Sequence, residues 1–359
     1  MVDENKQQEP GSPPPEAIVM QMVMGAWVSQ TISAVTRLDI PDLLKEHGPK
    51  TALELTHELG VAAKPQLLER ALRACASVGI FTEDADGRFG ATALSDVLTA
   101  SSPVSTKKLT EIFGASWWKL WGGLESALRT GESQPKALFG MSYWDYCLSN
   151  PKEMEDFGEA MKSNSLSSMR AVLEHCDFSD ARKVVDVGGG FGHLAIALLK
   201  KYKDLRGVVL EMPDLIPIAE KHLQGEDEDV LRRLEFVGGD MFEEVPAGDV
   251  LILKHIIHDW DEAHCIQLLQ NCSKGIQGDG RVIYVDAVLP PMGDTTGTPA
   301  KFLDVDMLVF DMGKERTEKQ WEQLYSTAGF EIISITPLEE SNFGTSIIEG
   351  RKVEVRPPT

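Results

Sequence analysis

One run constrains this chain more than any other: Val184-Val-Asp-Val-Gly-Gly-Gly-Phe-Gly-His193. An apolar, β-branched stretch passes straight into Gly188, Gly190 and Gly192, and a helical pattern follows at Leu194–Lys201. Glycines at that junction let the backbone turn sharply and come close to a ligand, with the amides of a helix N-terminus facing it. Further apolar runs recur at Val208–Leu210, Leu234–Val237, Val250–Leu253 and Val282–Val288, most of them a helix-length apart. Apolar strands alternating with helices specify a parallel sheet covered on both faces, hence an α/β domain over residues 181–359. After a helix at Arg316–Ala328, two more strands, Glu331–Ile335 and Ser346–Gly350, are close enough to pair as a hairpin.

In such a sheet ligands bind beyond the carboxyl ends of the strands, so the residues ending each strand are the site candidates. Glu211 ends the second strand about 20 residues past the turn, where a carboxylate accepts both ribose hydroxyls. The glycine spacing is G-x-G-x-G, whereas a dinucleotide pyrophosphate calls for G-x-G-x-x-G. That disfavours an NAD-dependent oxidoreductase and favours a phosphate-free nucleoside such as S-adenosylmethionine. Gly188 and Gly190 would then lie under the cofactor. Asp240, Met241 and Phe242, ending the third strand, would meet the adenine, although capping or closing a turn suits Asp240 equally well. The fourth strand ends Leu253-Lys-His-Ile-Ile-His-Asp-Trp260. His255, His258 and His264 lack the carboxylate pattern of a metal centre, so no metal is expected. His258, beside Asp259 and Trp260, is the candidate general base, because neutral imidazole takes a proton near neutral pH.

Upstream, residues 1–16 read as a charged, Pro-rich tail. From Ala17 a helix begins whose Met20, Met22, Val23, Ala26, Trp27, Ile32 and Val35 are too dense for an ordinary surface helix and suit a core or a subunit interface. A capped helix follows at Thr51–Gly60, then a helix over Pro65–Ile80 and a hairpin over Phe81–Leu94 turning at Asp86-Gly87. Three helices and a hairpin are the order of a winged helix. Arg70 and Arg73 on the helix over Pro65–Ile80 would suit either DNA or plain solvent. The net charge of −21 argues against a DNA-binding regulator, and against anionic membranes. Residues 104–180 are helical and rich in Trp, Met, Phe and Tyr, a texture of core or of the wall around a flat ligand. The cysteines Cys75, Cys147, Cys176, Cys265 and Cys272 contain no C-x-x-C, so a disulfide framework is not expected and a reducing cytoplasm is. Contiguous apolar runs are short, and no membrane-spanning segment or secretory signal is expected.

The stretches VVDVGGGFG, LEMPDLI, FVGGDMF, LKHIIHDWDEAHC, RVIYVDAVLP and GKERTEKQWEQLYSTAGF, in that order, resemble the plant-type and bacterial small-molecule O-methyltransferases, the family of caffeic acid O-methyltransferase and of the polyketide and phenazine methyltransferases. The resemblance covers the whole chain after the tail. It implies a class I methyltransferase domain with a Rossmann-like seven-stranded sheet, preceded by a winged-helix-like dimerisation domain (17–103) and a helical connector to the substrate pocket (104–180). It further implies a homodimer that turns S-adenosylmethionine into S-adenosylhomocysteine while methylating a small aromatic substrate. By position, the family's cofactor contacts fall on Gly188, Glu211, Asp240, Met241 and Lys254, and its base on His258. The carboxylates flanking the base fall on Asp286 and Glu315, and the substrate-facing positions on Phe157, Met161, Trp260 and Met307. Two residues depart from the pattern. Phe191 stands where a small hydroxyl residue is usual, and Asp286 where a glutamate is. Same-fold enzymes that catalyse hydroxylation, decarboxylation or pericyclic steps, and N-methylation of a heteroaromatic, are the competing readings.

Overall fold

The protein is described here from a computed structural model covering residues 13–60, 64–338 and 343–353. Most of the expected tail, residues 1–12, lies outside the described residues. The chain forms two compact units, one up to Ser116 and one from Trp117, so the division falls inside the segment 104–180.

In the N-terminal unit the first helix spans Pro15–Arg37, starting before Ala17 because Pro15 takes the first helical position, where a missing N–H costs nothing. Its apolar residues are largely exposed: Met22 is 74% and Trp27 68% accessible. By length and composition alone this helix could cross a membrane, which amends the expectation drawn from contiguous apolar runs. Helix Ala52–Leu59 has the expected capping box. Glu54 N–H donates to Thr51 Oγ1 (3.2 Å), Thr51 N–H donates to Glu54 Oε2 (2.7 Å), and Gly60 closes the helix in the left-handed region. Helix Pro65–Ser77 stops short of Ile80, since Gly79 is also left-handed (φ 83). The three strands β1 (Lys50–Thr51), β2 (Phe81–Glu83) and β3 (Arg88–Ala91) pair in the order β1-β3-β2. The hairpin ends earlier than expected, because Thr92 leaves the strand to cap the short helix Ala93–Asp96. Arg70 is exposed and Arg73 pairs with Glu83 at 3.1 Å, a solvated face.

The C-terminal unit is built on β4 (Lys183–Val187), β5 (Arg206–Glu211), β6 (Leu234–Gly238), β7 (Gly248–Lys254), β8 (Ile276–Leu289), β9 (Arg316–Thr317), β10 (Phe330–Pro337) and β11 (Thr345–Lys352). Seven of them lie in the order β10-β11-β8-β7-β4-β5-β6, and β9 adds to the end of β8. The pairs from β6 to β8 are parallel, while β11 and β10 run antiparallel as a C-terminal hairpin. Alternate residues of each strand feed opposite cores, as a two-residue side-chain period requires. Val185, Val208, Leu251 and Tyr284 pack on one face with helix Glu262–Gly275, and Val184, Val250, Ile252 and Ile283 on the other with helix His193–Lys201. The fifth strand is longer than its apolar run, and β9 was not expected: two residues carry no pattern, and β9 exists through its pairing with Val288 and Leu289. It shortens the expected helix Arg316–Ala328 to Glu318–Thr327, capped by Thr317 and Gln320.

Strand order reverses between β4 and β7, and this switch point sets the crevice at the carboxyl ends of the strands. Beside the sheet, helix Pro151–His175 and its neighbours carry an edge-to-face aromatic cluster. Phe310 lies 5.0 Å from Trp117 and 5.1 Å from Tyr143, and Phe157 lies 5.8 Å from Tyr143 and 5.2 Å from Trp144. Trp117 Nε1 donates to Tyr143 Oη (2.8 Å), which in turn donates to Glu153 (3.1 Å). Much of the aromatic segment is therefore core, its polar tips satisfied within the cluster.

Candidate active site

The turn after β4 holds Gly188, Gly190 and Gly192 in the left-handed region. Gly188 N–H donates to Leu210 O (2.8 Å), tying the turn to β5. A β-carbon on Gly188 would strike the Ile256 side chain at 2.5 Å, whereas one on Gly190 would meet nothing within 4 Å. Open space therefore lies over the middle of the turn. Glu211, ending β5, faces it: Oε2 accepts from Gly190 N–H (2.8 Å) and Oε1 from Met212 N–H (2.9 Å). Burial raises its pKa against the pull of those two amides. Below the turn, Asp186 is 2% exposed and its Oδ2 has no hydrogen-bond partner among the described residues. Burial pushes its carboxyl up to about 6, with Lys254 opposing. A buried carboxylate oxygen without a donor is costly unless a ligand supplies one.

Asp240 is exposed, and its Oδ1 accepts from Phe242 N–H (2.8 Å), so the carboxylate serves the turn. Asn271 Nδ2 donates to the carbonyl oxygens of Met241 (3.2 Å) and Phe242 (2.7 Å), fixing both residues at the crevice edge. Trp260, a substrate-facing position by resemblance, meets Phe242 edge-on at 4.6 Å and so sits on this edge, while Phe157 belongs to the aromatic cluster. Met307, on helix Thr298–Phe310, is 9% exposed, and Met161 is half-buried on helix Pro151–His175. Lys254 Nζ donates to Ser165 Oγ (2.7 Å), and burial lowers its pKa against the attraction of Asp186 and Asp286.

Phe191 packs beside the turn. It is 4% exposed, stacks on His222 (4.2 Å, 14°) and abuts helix Pro151–His175 where that helix has Gly158. A β-carbon at Gly158 would lie 2.3 Å from the Phe191 ring. Gly158→Ala is therefore expected to destabilise the protein by about 1–3 kcal/mol through overpacking, more than alanine's helix preference of ~1 kcal/mol returns. Urea unfolding checks this, and in a Phe191→Thr background, itself destabilised by loss of a buried ring, Gly158→Ala should cost little if the ring is its cause.

At the end of β7, His258 is 7% exposed and its Nδ1 lies 2.7 Å from Glu315 Oε1 and 3.1 Å from Asp286 Oδ1. The shorter Asp286 arm thus still reaches the ring. Both carboxylates are almost fully buried, and their outer oxygens, Asp286 Oδ2 and Glu315 Oε2, have no hydrogen-bond partners among the described residues. Two acceptors on Nδ1 hold the proton there and leave Nε2 as the basic nitrogen. Asp259 Oδ1 is 3.5 Å from Nε2. Burial alone would depress His258, but Asp286, Glu315 and Asp259 outweigh it and raise its pKa well above 6.5. Glu315 rises to about 7 through burial, and Asp286 is held below the usual carboxylate range by the two histidines despite its own burial. His264 is directed elsewhere, its Nδ1 on Asp261 at 2.9 Å.

Comparison with known proteins identifies the family of the chain. Residues 121–331 match the O-methyltransferase domain family, and residues 20–101 the O-methyltransferase dimerisation domain family. The chain belongs to the O-methyltransferase family. It is 35% identical over 344 residues to a phenazine O-methyltransferase of Lysobacter antibioticus, covering 96% of this chain and 98% of that one. It is also 35% identical over 322 residues to a mitomycin biosynthesis 6-O-methyltransferase of Streptomyces lavendulae, covering 88% and 89% respectively. Human N-acetylserotonin methyltransferase, solved with S-adenosylmethionine, superposes with a TM-score of 0.85 at 25% identity, covering 96% of this chain and all of that one. The protein is accordingly an S-adenosylmethionine-dependent O-methyltransferase, with the α/β methyltransferase fold and an N-terminal helical dimerisation domain.

Three further groups belong to the site although sequence patterns did not single them out. Asp186 is an acid inside an otherwise apolar strand, a signal that was available. Asp259 rises to about 7 through burial, opposed by His258. Asp306, 7% exposed, accepts from Trp121 Nε1 at 2.5 Å, and burial raises it to about 6. Nothing in the spacing of Trp121 and Asp306 announces that they meet.

Proposed function

We propose that this O-methyltransferase methylates a hydroxyl, phenolic in character, of a small aromatic specialised metabolite, with His258 as general base. The observation that carries the reading is the His258 ring fixed by Glu315 at 2.7 Å and Asp286 at 3.1 Å, with Nε2 left as the basic nitrogen. The phenazine and mitomycin O-methyltransferases among its relatives support an oxygen acceptor on a small molecule. Half-buried Phe157 and Met161 and buried Met307 are the residues we assign to the apolar substrate wall.

For the cofactor, the residues present fit an adenosyl sulfonium. Open space over Gly190, a carboxylate at Glu211 for ribose hydroxyls and the unpartnered Asp186 oxygen for an amino group are what it needs. Gly188 and Gly190 floor the site, Met241 and Phe242 form its apolar edge, and Lys254 and Asp240 border it. Bound there, S-adenosylmethionine supplies a methyl group made electrophilic by the sulfonium.

The chain's own work is alignment and proton transfer. A phenol near pKa 10 exceeds an ordinary imidazole by about 3.5 units, so full deprotonation before attack would cost ~5 kcal/mol. The carboxylates narrow that gap by raising His258, so Nε2 takes the proton as the oxygen attacks. The Nδ1–H meanwhile stays on Glu315 and Asp286, which stabilise the imidazolium. Holding two reactants in line contributes on the order of 7–11 kcal/mol more.

A base must be unprotonated to act. Because His258 is raised above 6.5, kcat/KM is expected to be low at pH 6 and to climb through an apparent pKa above 6.5 to a plateau. A pH–rate profile whose acid limb lies at or below 6.5 would contradict the charge arrangement. Incubation with methyl-labelled S-adenosylmethionine and a panel of phenols, hydroxylated polyketides and heteroaromatic amines tests the acceptor class. The reading expects label on phenolic oxygen, and label confined to the amines would overturn it. We further propose a homodimer, supported by the dimerisation-domain match and by the exposed apolar side of helix Pro15–Arg37.

A further inference from the structure

His255 sits in an unusual backbone state. It is one of the few non-glycine residues in the left-handed region (φ 55), a conformation costing a side-chain-bearing residue roughly 1–2 kcal/mol. Its N–H donates to Val285 O (3.0 Å), which brings the ring beside Asp286, the next residue of β8. His255 Nδ1 is 3.5 Å from Asp286 Oδ1, the same oxygen that lies 3.1 Å from His258 Nδ1. The two imidazoles stack with centroids 5.5 Å apart and planes 26° from parallel. Burial pushes His255 down to about 4, so the ring is neutral at working pH and carries a single N–H. Beside a carboxylate kept ionised, that hydrogen belongs on the nitrogen facing it.

We propose that His255 is a positioning residue for the general base: its Nδ1–H fixes Asp286 Oδ1 against His258, a tether that an aspartate arm at this position needs. The proposal rests on His258 being the base. Asp286 is faced by Lys254 and His255 from the end of β7, by His258 and Asp259 from the following turn, and by Glu315 from the segment before β9. Behind these, Asp304 bears on Glu315, and Asp311 and Asp306 on Asp259. A hydrogen bond to an ionised carboxylate favours its charged form, so without His255 the cluster holds its proton to higher pH. The apparent values belong to the cluster as a whole.

The test compares His255→Phe, which keeps a ring but no donor, with His255→Asn, which tolerates the left-handed backbone and retains an N–H at about the same reach. His258 titration is followed by NMR of labelled histidine in protein saturated with S-adenosylhomocysteine, alongside pH–rate profiles. His255→Phe should raise the His258 midpoint by about one pH unit. It should lower kcat by about tenfold, the low end of what orienting partners contribute, with KM for S-adenosylmethionine unchanged. His255→Asn should stay close to wild type in both. A wild-type midpoint and acid limb in His255→Phe, even with reduced activity or stability, would overturn the proposal. The NMR midpoint needs no turnover, so it decides His255 even if His258→Ala proves active and the base assignment fails.

Discussion

Replacing His258 with alanine is expected to lower kcat by on the order of 10²–10⁴, the range over which positioned bases contribute, while S-adenosylmethionine binds within a fewfold of wild type. The separation follows from geometry. The ring contacts Glu315, Asp286 and Asp259, and among the described residues no hydrogen bond joins these to the Gly188–Gly192 turn. Removing the imidazole leaves two buried carboxylates without their partner, so part of the damage in the alanine variant is structural. His258→Gln keeps a polar side chain facing them and isolates the chemical loss. Titration calorimetry with S-adenosylhomocysteine and a methyl-transfer assay, run on both variants, give the comparison. Retention of more than about a tenth of wild-type kcat in either would remove His258 from the role of base.

The second large effect concerns Glu211. In the structure its two oxygens accept from Gly190 and Met212 N–H at 2.8 and 2.9 Å, which fixes the carboxylate at the edge of the glycine turn. Hydrogen bonds to a charged group are worth about 1.5–3 kcal/mol each. Losing two from the ribose, about 3 kcal/mol at the low end, corresponds to a little over 100-fold in affinity. Glu211→Ala should therefore raise the Kd for S-adenosylmethionine by on the order of 100-fold and leave kcat at saturating cofactor nearly unchanged. A Kd within threefold of wild type would place the ribose elsewhere.

Much of this site was legible because its chemistry lives at strand ends, and strand ends are marked in sequence. The glycines after β4, Glu211 at the end of β5 and the histidines after β7 each follow an apolar run closely, so the parallel topology gathers them without further information. The capping box at Thr51 and Glu54 was readable for the same local reason. What spacing could not disclose is which distant segments meet. Glu315 reaches His258 from a segment 57 residues away, and only the resemblance named it. That Trp260 meets Phe242 edge-on is likewise set by packing and not by spacing. Phe191 departs from the family pattern at the glycine turn, and Gly158, 33 positions upstream in another helix, leaves the space for its ring. Such complementarity belongs to packing, where an absent β-carbon matters as much as a side chain that is present.

A crystal structure grown with S-adenosylhomocysteine tests the central claim most directly. The adenosyl group should lie over Gly188–Gly192, with its ribose on Glu211 and its sulfur on the side of the crevice that His258 Nε2 faces. A nucleoside bound away from the glycine turn, or a His258 ring rotated off Glu315 and Asp286 with Nε2 facing away from the sulfur, would contradict it.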